Sequence, residues 1–313
     1  MSKDNPLLGI ALMFGFCVVA PMGDAVAKLL GGQVPMGQML FIRFGVQALV
    51  LLPLILCTGR VWRMHGRVLR LTFLRTVLHI LGIGMMFTAL MYLPLADAVA
   101  IAFIMPFLML VLGHFVLDEE VGIRRLLACA VGFIGTLLVV QPSFAEVGWP
   151  ALLPLGVAVN FSVFMLVTRQ IAKDTDPVGL QAVSGVMAVC LIAPFLLLAP
   201  DDILPVFAWE QPDAHTWKLL FGIGLLGTLG HLLMTWSLRY APAATLAPMQ
   251  YLEIPIATII GFVVFAEFPN PLATLGICIT IAAGLYIVIR ERAMMKSSRQ
   301  APVSADPVSA LAE

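Results

Sequence analysis

Long apolar segments separated by short polar connections fill almost the whole of this sequence. Hydrophobic residues make up 61% of the 313 residues and charged residues 12%, against about 45–50% and about 25% in soluble domains. The chain therefore has too little charge to cover a surface that faces water. Runs of about 20 apolar residues span a bilayer as helices, whereas the strands of a membrane barrel alternate over about ten residues. We expect an all-α polytopic membrane protein.

Turn residues and charges divide the apolar sequence into ten expected transmembrane helices. These spans lie at about 6–30, 36–57, 69–92, 94–117, 123–141, 149–171, 177–199, 217–239, 243–266 and 271–290. Little chain is left for a separate catalytic domain, and residues 293–313 are expected to form a flexible cytoplasmic tail.

The basic residues are unevenly distributed between the two sides of this arrangement. Fourteen of the 18 lysines and arginines fall on the side of the N-terminus and two on the opposite side. Because positively charged loops stay in the cytoplasm, we expect an N-in and C-in protein of a bacterial inner membrane. Acidic and basic residues number 18 each, so the sequence has no electrostatic signature of a nucleic-acid partner.

Several chemical motifs are missing from the sequence. It contains no GxxxxGK[ST] phosphate loop, no HExxH and no GxSxG, which are signatures of ATP hydrolysis and of common hydrolases. The five cysteines form no CxxC pair, so neither a zinc site nor a disulfide framework is indicated. We expect no catalytic residue, no metal and no cofactor.

Two passages of the sequence resemble each other at an offset of 148 residues. One begins at Tyr92 and the other at Tyr240, and each has a proline two residues later and a glutamate near the end of its apolar run. With five spans in each half, an odd number, the second half would enter the membrane from the opposite side. Such inverted repeats build a substrate site near the midplane of alternating-access carriers.

The passage from Arg75 through ALMYLP, ending at Pro94, is similar to the EamA type of the drug/metabolite transporter superfamily. A proline in the fourth span of each half, Pro106 in the first, and a glycine-containing fifth span belong to the same resemblance, which covers about residues 6–290. It implies two inverted five-helix EamA repeats, at 1–148 and 149–292, and secondary transport of small organic metabolites. The FIRF stretch around Arg43 is similar to the branch of S-adenosylmethionine and riboflavin uptake carriers, without fixing a substrate.

Glu253 is the first candidate for a functional residue, because it falls near the middle of the ninth span. At about 1.5 Å per residue it lies roughly 16 and 20 Å from the two membrane faces. A carboxylate there costs about 2.5–3.5 kcal/mol, so it should face the bundle interior and bind a proton or a cationic group. Pro248 and Pro255 should break this helix, and we expect Gln250 and Tyr251 to contribute to the same site. A glutamate held by a neighbouring helix is the structural alternative.

Arg43 lies about 10 Å inside the second span at helical rise, too deep for a loop charge. It could bind a carboxylate or phosphate of the substrate, or pair with Asp24 or Asp97 in a structural network. Asp24, Lys28 and Asp97 are expected in the same periplasmic half, where they could form a vestibule or an outer gate.

The remaining polar candidates are His79, Asn160 and His231, all within spans. Each could bind substrate or relay a proton, but an isolated histidine on an apolar helix more often forms a structural hydrogen bond. We expect Arg75, near the start of its span, to extend to the cytoplasmic surface. Four glycines of the eighth span should let another helix approach closely: Gly222, Gly224, Gly227 and Gly230.

These observations favour a secondary transporter for a zwitterionic or cationic, amino-acid-like metabolite, coupled to protons or working by exchange. Its expected partners are this small molecule, the proton and the lipid bilayer, with the chain acting as a monomer or homodimer. A receptor or assembly subunit without transport, and a membrane enzyme that modifies lipid, are the two alternatives.

Overall fold

A computed structural model describes residues 5–117, 123–198 and 204–300, and within these ranges it is helical without strands. The α-helices are α1 (Pro6–Leu30), α2 (Met36–Thr58), α3 (Gly66–Leu90), α4 (Leu95–Ala102), α5 (Met105–Leu117), α6 (Ile123–Val147), α7 (Leu153–Ile171), α8 (Pro177–Leu198), α9 (Ala214–Tyr240), α10 (Ala243–Leu246), α11 (Glu253–Phe265) and α12 (Pro271–Gln300). Short 3₁₀ segments lie at Trp149–Leu152, Pro205–Phe207 and Ala247–Leu252. The expected all-helical fold is confirmed.

Eight helical stretches in the described part of the chain are long and apolar enough to cross a membrane, and α4 with α5 forms one of them. Two shorter apolar stretches follow, Met249–Phe265 and Pro271–Tyr286. The outer surface carries large apolar side chains, among them Leu56 at 75% and Leu197 at 81% exposure. A water-soluble protein does not present such a continuous apolar surface, so the chain is a multi-pass membrane protein.

Local sequence signals explain where several helices begin. Asn5, Asp176 and Asn270 each precede a proline, and each side chain accepts a hydrogen bond from a backbone N–H of the first turn. Such an acceptor satisfies an N–H that the helix leaves free, while proline at the first position has no N–H to satisfy. Gly59 ends α2 with a φ of 61°, a left-handed conformation that favours glycine.

Two helices are broken where the prolines lie. The fourth expected span divides into α4 and α5, with Pro106 in the first turn of α5. The ninth divides into α10, a 3₁₀ segment containing Pro248, and α11, with Pro255 in its first turn. Where the 3₁₀ segment joins α11, the carbonyls of Gln250 and Tyr251 both accept the backbone N–H of Glu253.

The helices pack in four main pairs: α1 with α9, α3 with α7, α2 with α8, and α6 with α12. Glycine allows the closest approach in the last pair, where a Cβ on Gly135 would lie 2.6 Å from the carbonyl oxygen of Gly276. Gly224 and Gly227 of α9 similarly face Val46 and Arg43 of α2. We expected the α9 glycines to let another helix approach closely, and these two do so. A Cβ on Gly222, in contrast, would meet no atom within 4 Å.

Contacts between helix ends define two faces of the bundle. On one face the backbone of Asn5 binds that of Tyr240 at 3.1 Å, which joins the start of α1 to the end of α9. On the other face Lys28, near the end of α1, binds Glu267 just beyond α11 at 2.6 Å. Helix α12 continues to Gln300, past the end expected near 290 and into the expected tail, while residues 301–313 lie outside the described residues.

Candidate functional site

A central cavity lies between the helices of the two halves and encloses about 940 Å³ of atom-free space, including its opening. Its walls are mainly apolar and aromatic. Six of the nine side chains proposed from the sequence as substrate- or ion-binding line it: Asp24, Arg43, His79, Asn160, His231 and Glu253. They come from α1, α2, α3, α7, α9 and α11, so the fold brings together residues that are far apart in the sequence.

Two carboxylates lie on one wall of this cavity. Glu253 is the first residue of α11 and is 8% exposed, and Asp24 lies on α1, which packs against α11. Neither carboxylate makes a hydrogen bond or an ion pair with any residue that the structure describes. A buried carboxylate without a partner is stabilised by taking up a proton or by binding a cation. This wall is therefore suited to a cationic group.

Arg43 supplies a positive charge to another wall. Its side chain is 3% exposed, its guanidinium lies 4.7 Å from the ring centre of Phe44, and its Nη1 has no hydrogen-bond partner. Asp24 lines the same cavity, but the two residues do not form an ion pair, one of the two alternatives that the sequence left open. Asp97, the other partner considered for such a pair, is buried in the first turn of α4 and is not among the residues that line the cavity.

His79 and His231 form a hydrogen bond between their Nε2 atoms, which are 2.9 Å apart. The bond joins α3 to α9, and Phe44 and Phe164 pack against the ring of His79 at centroid distances of 5.1 and 4.9 Å. Asn160 donates its amide to the backbone carbonyl of Leu78 at 2.8 Å, so it links α7 to α3 at the edge of the cavity.

Arg75 does not extend to the cytoplasmic surface as we expected. Its side chain is completely buried, with Nε 2.9 Å from the hydroxyl of Thr168 and Nη1 3.0 Å from that of Ser184. The guanidinium also lies 4.6 Å from the ring centre of Phe164. The missed signal was its spacing from His79: residues four apart share a helix face, and that face of α3 points into the bundle.

Lys28 finds its partners at the end of α1 and not in the cavity. Its ammonium binds Glu267 and, at 2.7 Å, the carbonyl of Leu93, while Glu267 accepts the backbone N–H of Leu95 at 3.2 Å. These contacts fasten the ends of α1 and α11 to the start of α4. They therefore give Lys28 and Glu267 a structural role.

Gln250 and Tyr251 lie outside the cavity, although we expected them beside Glu253. The amide of Gln250 contacts the sulfur of Met165 at 3.3 Å. Tyr251 is buried between α6 and α12, beside the glycines at 132 and 284, with its ring 5.6 Å from that of Phe103. The change from a 3₁₀ turn to an α-helix at Glu253 rotates the faces of this segment, so helical spacing does not hold across it.

Broken helices beside a central cavity that contains a few charged side chains, in a multi-pass membrane protein, define the class of a membrane transporter. Family models agree with this class. The EamA-like transporter family matches the chain twice, at residues 7–141 and 148–290, and the chain belongs to this family.

Curated relatives align with almost the whole chain. An S-adenosylmethionine uptake transporter of Rickettsia prowazekii is 24% identical, covering 94% of this chain and 97% of the relative. A riboflavin transporter of Vibrio cholerae is 25% identical, covering 95% and 98%. The pseudopaline exporter CntI of Pseudomonas aeruginosa is 24% identical, also covering 95% and 98%. Since these relatives are transporters, the enzyme alternative is not supported.

A solved structure shares the fold. It is described only as the crystal structure of a protein, and it superposes with a TM-score of 0.66 at 18% identity. The match covers 91% of this chain and 97% of the other. At this identity the likeness concerns the fold alone.

Proposed function

We propose that this protein is a secondary carrier that moves a small organic metabolite across a bacterial inner membrane by alternating access. The observation that carries the proposal is the central cavity, where Glu253 and Asp24 lie unpaired on one wall and Arg43 on another. Glu253 and Arg43 are buried and Asp24 is half-buried, and charges removed from water without partners destabilise the fold. A substrate with complementary charges would offset this destabilisation during transport.

The proposed architecture is ten spans in two inverted five-helix repeats, residues 1–148 and 149–292. In it α4 and α5 form the fourth span, and the segment from α10 to α11 forms the ninth. Helix packing supports this arrangement. In such a repeat, α1 corresponds to α7, α3 to α9, and α5 to α11. The packed pair α1–α9 then corresponds to another packed pair, α7–α3, and α5–α7 corresponds to α11–α1. The pairs α2–α8 and α6–α12 each join a span to its own counterpart. The twofold match of the family model is a second support.

The proposed orientation places both termini in the cytoplasm. The face that joins the start of α1 to the end of α9 also holds the exposed ion pair of Arg60 with Asp176, which links the α2–α3 and α7–α8 connections. These connections carry many of the basic residues, as cytoplasmic loops do.

The proposed substrate is zwitterionic, with its cationic group toward Asp24 and Glu253 and its anionic group toward Arg43. An amino-acid derivative fits this description, and S-adenosylmethionine, named in one relative, carries both kinds of charge. Because the relatives include importers and an exporter, the direction of transport is left to the experiment. Glu253 is the proposed site where a proton or a substrate cation binds in turn, which would couple the two fluxes.

Flux measurements in vesicles test this function. Purified protein is reconstituted with an imposed pH gradient, and the uptake of labelled amino acids, S-adenosylmethionine, riboflavin and polyamines is compared with that of empty vesicles. We expect flux of one class, and we expect Glu253→Gln to abolish this coupled transport while the protein stays folded. Glu146→Gln, at an exposed position of α6, is the matched control and should transport normally. Unchanged pH-dependent flux in Glu253→Gln would contradict the role of this carboxylate.

A further inference from the structure

The hydrogen bond between His79 and His231 joins the two halves of the bundle at the cavity. Its two helices, α3 and α9, are the third spans of the two proposed repeats. The rings are buried, and Gly227 and His231 on α9 and Arg75 and His79 on α3 are each four residues apart. Arg43 packs on Gly227, so two guanidinium groups flank the imidazole pair, one helical turn away on each side.

The geometry of this bond fixes how many protons the pair can hold. A distance of 2.9 Å between two Nε2 atoms requires a hydrogen on one nitrogen and a lone pair on the other. Two neutral rings meet this condition, and so do one neutral ring and one imidazolium, whose bond is strengthened by its charge. Two imidazolium rings would direct N–H against N–H, and the bond would be lost.

One of the two Nδ1 atoms is open to an added proton: the ring whose Nε2 accepts already carries its hydrogen on Nδ1, whereas the Nδ1 of the donating ring has a free lone pair. In the described part of the chain both Nδ1 atoms are buried and have no hydrogen-bond partner. A pair of apolar residues could close this part of the cavity without the cost of burying two unpartnered ring nitrogens. Packing alone therefore does not account for two histidines here.

Charges on the surrounding helices act on the pair in opposite directions. Arg43 on α2 and Arg75 on α3 oppose the uptake of protons, whereas Asp24 on α1 and Glu253 on α11 favour it when they are ionised. Cys17 on α1, whose thiol contacts the carbonyl of Met249, is a further titratable group on this side. From α7, the single ring of Phe164 packs against both imidazoles.

We propose that the His79–His231 pair is a proton-binding site that also fastens the two halves of the carrier together. With no added proton or with one, the bond holds; with two, it breaks and α3 separates from α9. This assignment rests on the proposed function, since it names a second proton site of the carrier. The histidine pair between the two repeats would then bind protons in addition to the carboxylates of Asp24 and Glu253.

Nitrogen NMR of the full-length protein in lipid nanodiscs tests the proposal without any substrate. The protein is labelled with ¹⁵N-histidine, and His79→Gln and His231→Gln identify the two rings. At neutral pH we expect a scalar coupling between the two Nε2 nuclei across the hydrogen bond, absent in either variant. On acidification both rings should become imidazolium, and the coupling should disappear in the same pH range.

Removing a flanking positive charge supplies the control. In Arg75→Gln the coupling should disappear at a pH higher by about one unit or more, because a charge that opposes protonation is gone. Arg169→Gln, at the end of α7, should behave like the wild type. Rings that remain neutral and coupled down to the pH of unfolding would overturn the proposal, as would a missing coupling at neutral pH. Flux in vesicles could persist after either of these results, so a failure of this proposal is distinguishable from a failure of the proposed transport function.

Discussion

Replacing Gly227 by alanine should displace the guanidinium of Arg43 without removing its charge. A Cβ at this position would lie 2.7 Å from Nη2, 2.8 Å from Nε and 2.9 Å from Cζ. Ordinary contacts between such atoms are about 3.5 Å, so the guanidinium must retreat by about 0.7 Å. It can do so because the adjoining cavity is open, and the fold should therefore survive the substitution.

The expected change in the free energy of unfolding follows from two opposing effects. Alanine favours a helix over glycine by about 1 kcal/mol, whereas overpacking at a buried contact costs about 1–3 kcal/mol. Gly222→Ala, on the same helix with nothing within 4 Å of its Cβ, gains the first effect without the second. Gly227→Ala should therefore be less stable than Gly222→Ala by about 1–3 kcal/mol, which corresponds to roughly 2–4 °C of melting temperature per kcal/mol.

Binding distinguishes the two variants further. If Arg43 holds an anionic group of the substrate, its displacement should weaken binding about tenfold, or about 1.4 kcal/mol, while Gly222→Ala should bind like the wild type. The assays are melting curves of the purified proteins and their shift with a transported compound. Equal stability and equal affinity in the two variants would refute the packing of Arg43 on Gly227 and its role in the site.

Three further predictions concern the fold. Lys28→Met should lower the free energy of unfolding by about 1–3 kcal/mol, because it leaves Glu267 and a backbone carbonyl without their half-buried partner. An unchanged melting temperature would show that this contact does not contribute to stability. Gly135→Ala should cost about 1–3 kcal/mol, because its methyl group would press on the α12 backbone, and a stabilised variant would contradict the close packing of α6 and α12. Hydrogen bonds from the side chain and backbone of Thr216 lower the pKa of Asp213 at the start of α9, so their stabilisation is present above the ordinary carboxyl range. It should be lost as the pH falls through the lowered pKa, and the difference in melting temperature between Asp213→Ala and the wild type should narrow there; a constant difference would exclude a charge effect.

The helices could be predicted from the sequence because their signals are local. An apolar run of about 20 residues and an Asn or Asp before a proline each act within a few residues of the chain. The breaks at Pro106 and Pro248 were foreseeable for the same reason, since proline removes a backbone donor wherever it lies.

The partners of the charged residues could not be predicted in this way. Sequence position gives the depth of Arg75 and Lys28 in the membrane, but not whether that face of the helix meets lipid or another helix. Glu267 lies 239 residues from Lys28, and no local pattern joins them. The same limit explains Arg75, whose contacts on α7 and α8 depend on how three helices pack.

The sequence indicated most of the polar residues that line the candidate site, but not which of them contact each other or which lie outside it. Polar side chains inside apolar spans must face the interior, and this rule identified Glu253 and both histidines before their distances were known. The rule could not tell that His79 and His231 bind each other, because their pairing depends on how the whole bundle places α3 near α9. It also could not exclude Tyr251, whose helix is interrupted within a single turn.

A binding measurement tests the central claim, that the substrate occupies the cavity beside Glu253. Melting temperatures of the wild type and of Glu253→Gln are measured with amino acids, S-adenosylmethionine, riboflavin, polyamines and nucleosides, because a ligand stabilises the state that it binds. We predict that one class raises the melting temperature of the wild type and that the same compounds leave Glu253→Gln unchanged. A transported compound that stabilises both proteins equally would contradict the account and place its binding site outside this cavity.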